Sequence, residues 1–143
     1  MRNADREEER RGPSWLRMAA IAYLVIQGSG GFLWWVTLWA WPASRSRFLA
    51  TDAPASTLLA FAPADLVLFV GGSWLAAVGL ARRRDWAWPV ICIHTGAAMY
   101  AAMYCLTLWF LDSQAWLGGV LMLPSLVATP MIAWHFRPRG TPC

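Results

Sequence analysis

Residues 15–41 read WLRMAAIAYLVIQGSGGFLWWVTLWAW, an apolar run whose one charge is Arg17, near its start. As a helix rising about 1.5 Å per residue it is about 40 Å long, enough to cross about 30 Å of hydrocarbon with tilt and interfacial overhang. A secretory leader has a shorter apolar stretch, about 7–15 residues, ending at a small-residue cleavage site. Trp39-Ala40-Trp41-Pro42 is a poor one. The run therefore predicts a membrane-spanning helix.

Three further runs repeat the pattern, and four spans are expected at 15–41, 64–81, 86–110 and 115–136. Strands are excluded, because a spanning β-structure needs short alternating segments closed into a barrel. Residues 1–14 (MRNADREEERRGPS) and 137–143 read as polar tails. The connection Ala43–Ala62 is rich in Ala, Ser and Pro, and its segment Ser56–Phe61 predicts a short interfacial helical turn.

Composition agrees. Hydrophobic residues are 58% of the 143 and charged residues 14%, against about 25% charge in a soluble domain. Mean hydropathy is +0.41. A soluble enzyme and a disordered chain are both excluded by that balance. The net charge of +4 does not point to nucleic acid. All twelve cations are Arg, set in short clusters between apolar runs rather than on one basic face.

That clustering sets an orientation. Arg2, Arg6, Arg10, Arg11, Arg17, Arg82, Arg83, Arg84, Arg137 and Arg139 fall on one side, and Arg45 and Arg47 on the other. The side rich in Arg faces the cytoplasm. The expected fold is an all-α integral membrane protein, a four-helix transmembrane bundle with both termini inside. The expected location is a bacterial inner membrane. Trp15, Trp86, Trp88 and Trp134 at inner span ends, and Trp39, Trp41, Trp109 and Trp116 at outer ends, suit interfacial belts. Trp34, Trp35 and Trp74 lie deeper and need another reason.

Between membrane helices, small and polar residues mark the contact faces, because lipid already accommodates Leu and Val. At helical spacing, the first span carries Tyr23, Gln27, Gly30, Trp34, Thr37 and Trp41 on one stripe. The second carries Asp65, Phe69, Gly72, Ala76 and Gly79. The third carries His94, Ala98, Ala101, Cys105 and Asp112, and the fourth Gly118, Met122, Ser125 and Thr129. Gly72, Ala76, Ala98 and Ala101 are expected at helix contacts, with Ala77 off the stripe. Pro124 and Pro130 free backbone carbonyls and should bend the fourth span. Short connections after spans two and three make neighbours antiparallel, which brings Tyr23, Gln27, Ala76, His94 and Thr129 to similar depth.

His94 is the one ionisable group expected well inside the hydrocarbon, and such groups are functional candidates by default. It reads either as a neutral histidine hydrogen-bonded to Tyr23, Gln27 or Thr129, or as a ligand contact, or as a metal or haem ligand. Haem is disfavoured, since His135, the other histidine, falls off the inward face of its helix. The candidate ligand-binding set is His94, Gln27, Trp34, Tyr23, Thr129 and Ser125. No catalytic residue, metal site or cofactor is expected: no CxxC, HExxH, GxSxG or phosphate-loop spacing occurs. Asp65, beside Pro63, reads as an acid at a helix N-terminus, and Asp112 as a turn residue. The Met99/Met103 and Tyr100/Tyr104 pairs read as packing. Residues 116–124 (WLGGVLMLP) are similar to the last helix of the tryptophan-rich translocator family. That family has five spans and a first loop rich in Trp and Pro; four spans and a loop without Trp assign this chain to no family.

The expected function is that of a small non-enzymatic membrane protein. It is either an accessory subunit or a binder of a hydrophobic small molecule or lipid in the bundle interior. The alternatives are a membrane enzyme or redox subunit using His94, or a small transporter. Expected partners are the bilayer, a hydrophobic small molecule, and a membrane protein or second copy; nucleic acid is not expected.

Overall fold

A computed structural model describes residues 14–138. The two expected tails fall outside these residues except for Ser14, Arg137 and Pro138. The described chain is helical, with no strand, and four helices are long and apolar enough to cross a membrane. They are α1 (Ser14–Ala40), α2 (Ala55–Ala81), α3 (Ala87–Leu111) and α4 (Trp116–His135).

The second span is built in pieces. The turn expected around Ser56–Phe61 is a short helix, Ala55–Leu59, closed by turn residues at Ala60 and Phe61; helix restarts at Ala62–Ala64, with Pro63 in its first turn, and continues into the span. Proline is tolerated there because its missing N–H has no partner to lose. Residues Asp65–Gly71 then form a π-helical segment before regular α-helix resumes at Gly72–Ala81. Such wide turns insert a residue and re-aim side chains.

The connections are tight. After α2, Arg83 takes φ 52°. The Arg84 N–H then reaches back to the Gly79 carbonyl at 2.9 Å and the Arg83 N–H to Leu80 O at 3.2 Å. This is a Schellman closure with Arg where Gly is usual. Gly79 permits the return, because a Cβ there would sit 2.8 Å from the Ala87 Cβ and Trp86 ring. A 3-10 turn, Ser113–Ala115, joins α3 to α4. Another, Pro42–Phe48, follows α1. The Thr51 amide donates to the Asp112 carboxylate, tying the first connection to the third. The fourth helix continues through Pro124 and Pro130.

Packing runs in sequence: α1 on α2, α2 on α3, α3 on α4, while α1 and α4 stand further apart. The lower half, toward the α2–α3 turn, is close-packed around Ala20, Leu24, Ala76, Ala77, Leu80, Ala87 and Ile91. Small side chains there bring backbones together, the usual basis of helix association in lipid. Ala77 is only 3% exposed, so it belongs to this core beside Ala76 and is not off the contact face.

The contact face of α1 also differs from expectation. Its buried positions are Ala20, Leu24, Gly28, Trp35 and Leu38, and a Cβ on Gly28 would lie 2.8 Å from the Trp74 ring and 3.0 Å from the Ser73 Cβ. The expected stripe lies beside that face. Thr37 is exposed and bonds its own helix at Leu33 O, and Trp41 is 63% exposed. A Cβ on Gly30 would meet nothing within 4 Å. Tyr23, Gln27, Gly30 and Trp34 border the gap between α1 and α4.

Candidate binding cavity

A polar layer crosses the bundle at mid-height. Gln27 on α1 donates from Nε2 to Ser125 Oγ on α4 at 2.8 Å, bridging the two helices that otherwise stand apart. Its Oε1 lies 3.2 Å from His94 Nε2 on α3. Ser73 Oγ on α2 lies 3.3 Å from the same nitrogen. With the amide so oriented, the imidazole donates from Nε2 to Gln27, and Nδ1 faces Leu68 O at 3.4 Å, long for a hydrogen bond. His94 is 0% exposed. Gly72 makes room for it: a Cβ there would stand 3.4 Å from the His94 Cβ. One side chain from each helix thus meets in one cluster, as buried amides and imidazoles require.

Thr129 joins this layer differently. Its hydroxyl bonds its own helix at Ser125 O, 2.8 Å, and its carbonyl accepts from Thr95 Oγ1 at 3.2 Å. It ties α3 to α4 and does not bond His94.

Above the layer the bundle opens into a cavity of about 640 Å³. Gln27, Phe69 and Ser125 form its floor. Gly30 and Trp34 of α1, Tyr100, Ala101 and Tyr104 of α3, and Gly118, Leu121 and Met122 of α4 form its walls. Phe48, Leu58 and Phe61, from the Pro42–Phe48 turn and the start of α2, close the top. The upper wall is aromatic: Trp34 stands edge-on to Phe48 with centroids 5.3 Å apart, and Phe61 lies 4.8 Å from Tyr104. The deep tryptophans have their reason here. Trp35 fills the α1–α2 contact, Trp34 the cavity wall, and Trp74 covers Gly28.

Four of the six candidate residues line this space: Tyr23, Gln27, Trp34 and Ser125. His94 and Thr129 do not; they are buried behind the floor. His94 touches the cavity floor from behind, through its hydrogen bond to Gln27 and its ring contact with Phe69, centroids 5.6 Å apart. Trp34 Nε1 is buried without a hydrogen-bond partner, and the Tyr23 hydroxyl is buried beside Ser125 without a well-formed bond.

Asp65 stands just after Pro63, near the restart of helix at Ala62, as read from the sequence, but no side-chain capping bond is formed there. It stands in the π segment and lines the upper cavity, within reach of the Trp35 indole and near Cys105. The signal was present, because Asp65 shares the inward stripe of α2 with Phe69 and Gly72. Tyr100 and Tyr104, read as packing, also line the wall. No three of His, Cys, Asp and Glu converge on a point among the described residues. His135 is exposed and meets the Phe136 ring edge-on, centroids 4.9 Å apart.

No protein-family profile matches the chain, and no curated protein or solved structure matches it either.

Proposed function

We propose that this chain is a multi-pass integral membrane protein that binds a hydrophobic small molecule in the cavity between its four spans, without catalysing a reaction. Membrane insertion is supported by the outward faces, where Ile26, Leu33, Leu75, Ile93, Val127 and Met131 stand exposed. So much exposed apolar surface on a small chain is at odds with a water-facing monomer. The bias of Arg toward the α2–α3 turn and the termini supports an orientation with both termini in the cytoplasm. A bacterial inner membrane is the setting proposed.

The observation that carries the binding reading is the cavity. About 640 Å³ lies within the range of small-molecule sites, about 300–1,000 Å³, and the lining is apolar and aromatic with a few convergent polar groups. Gln27 and Ser125 offer hydrogen bonds at the floor. A role as enzyme or redox subunit through His94 is less well supported, because the imidazole is sealed behind Gln27.

The test uses Gly30, which borders the cavity and has open space where its Cβ would be. Gly30→Phe should fill the cavity and leave the fold intact. In lipid nanodiscs, the neutral aromatic triphenylphosphine oxide should raise the unfolding temperature of the wild type. A probe at a hundred times its Kd contributes about 2.7 kcal/mol. The Gly30→Phe protein should melt normally but gain nothing from the probe. Equal stabilisation of both proteins would refute the cavity as the binding site.

A further inference from the structure

Among the described residues, Asp65 is the one carboxylate on the cavity wall, and no Arg, Lys or His shares that wall with it. Its neighbours are the Trp35 indole and the Cys105 thiol, neither of which balances a negative charge. It forms no ion pair among the described residues. Arg45, at the top of the bundle, donates from Nε to the Leu38 carbonyl at 2.9 Å. The rings of Trp34, Phe61 and Tyr104 line the same cavity.

These features select a ligand charge. A carboxylate withdrawn from water is costly unless a positive charge or a proton balances it. Aromatic faces attract cations through their ring quadrupoles, and most strongly when the site is dry. An anionic ligand would bring like charges together. A bare metal ion is a poor match, because Ca²⁺ and Mg²⁺ require about six oxygen ligands and the wall offers one carboxylate. Among ligands, the match is an organic cation whose charge is sheathed in apolar groups. Asp65 stands in a π-helical segment, a distortion that often marks functional positions and here carries the carboxylate on the cavity side.

Building on the cavity reading above, we propose that the ligand is a lipophilic organic cation, such as a tertiary or quaternary amine. Its charge sits beside Asp65 within the aromatic upper wall, and its apolar body extends toward Gln27 and Ser125.

The experiment compares three probes of similar shape on full-length protein in nanodiscs: cationic tetraphenylphosphonium, anionic tetraphenylborate and neutral triphenylphosphine oxide. Wild-type protein should bind the phosphonium at least about tenfold more tightly than the neutral probe and should not bind the borate. Asp65→Asn keeps the side-chain shape and an acceptor for Trp35. It should weaken phosphonium binding about tenfold or more while leaving the neutral probe within about twofold. Asp65→Glu, which restores the charge, should restore the preference. If Asp65→Asn binds the phosphonium as the wild type does, or weakens both probes equally, the cation proposal falls and the cavity reading stands. If the wild type binds none of the three, both fall.

Discussion

Gly28 and Gly30 lie two positions apart in α1, and alanine at each should move stability in opposite directions. At Gly28 the new Cβ would stand 2.8 Å from Trp74 Cδ1 and Nε1, and 3.0 Å from the Ser73 Cβ. Ordinary carbon contacts are about 3.5–4.0 Å, so a gap of about 0.7 Å or more must open. The Trp74 ring is partly exposed and can swing, but the Ser73 Cβ is fixed to the backbone of α2 and yields only if the helices separate. Overpacking of this kind costs about 1–3 kcal/mol. At Gly30 the Cβ meets nothing within 4 Å. Both sites are mid-helix, so the intrinsic gain of Ala over Gly, about 1 kcal/mol, is common to both and cancels in the comparison. Gly30→Ala should therefore be neutral to about 1 kcal/mol more stable than wild type. Gly28→Ala should lie about 1–3 kcal/mol below it. Gly31→Ala should fall between, since its Cβ would meet Phe69 and Val70 at 3.2 Å. Reversible unfolding in mixed micelles with rising dodecyl sulfate, followed by circular dichroism, measures all three. Equal stability of the Gly28 and Gly30 variants would show that α1 and α2 do not pack through Gly28.

Two further outcomes are expected. His94→Leu leaves Gln27 Oε1 and Ser73 Oγ without their partner and should cost about 1–3 kcal/mol in the same assay, whereas His94→Gln should cost less; equal losses would mean that the polar layer is not held by these bonds. In a background lacking the native cysteines, a cysteine at Ser46 should react with an impermeant maleimide added outside intact cells, and one at Arg83 should not; outside labelling at Arg83 would overturn the orientation.

The sequence by itself determined the four apolar helices, because length and apolarity alone decide which segments can cross hydrocarbon. It also determined that Gln27 and His94 would lie at one depth; Thr129, expected with them, bonds its own helix instead, and Ser125 takes its place. Hydrocarbon leaves polar side chains few partners, and short connections fix neighbouring helices antiparallel. Helical periodicity identifies a face, but it does not say what stands opposite. The Tyr23-Gln27-Gly30-Trp34 stripe and the Leu24-Gly28-Gly31-Trp35 face are adjacent and both contain glycine. Only the docking of α2 against Gly28 decided that the second is a contact and the first a cavity wall. The same docking buried Ala77 with Ala76 and placed His94 behind Gln27 rather than in the cavity. Asp65 looked like a cap because proline beside an acid is a common helix start. Its place just after Pro63 is as read, but only tertiary packing, with Trp35 and Cys105 nearby, brings the carboxylate to the wall of the cavity.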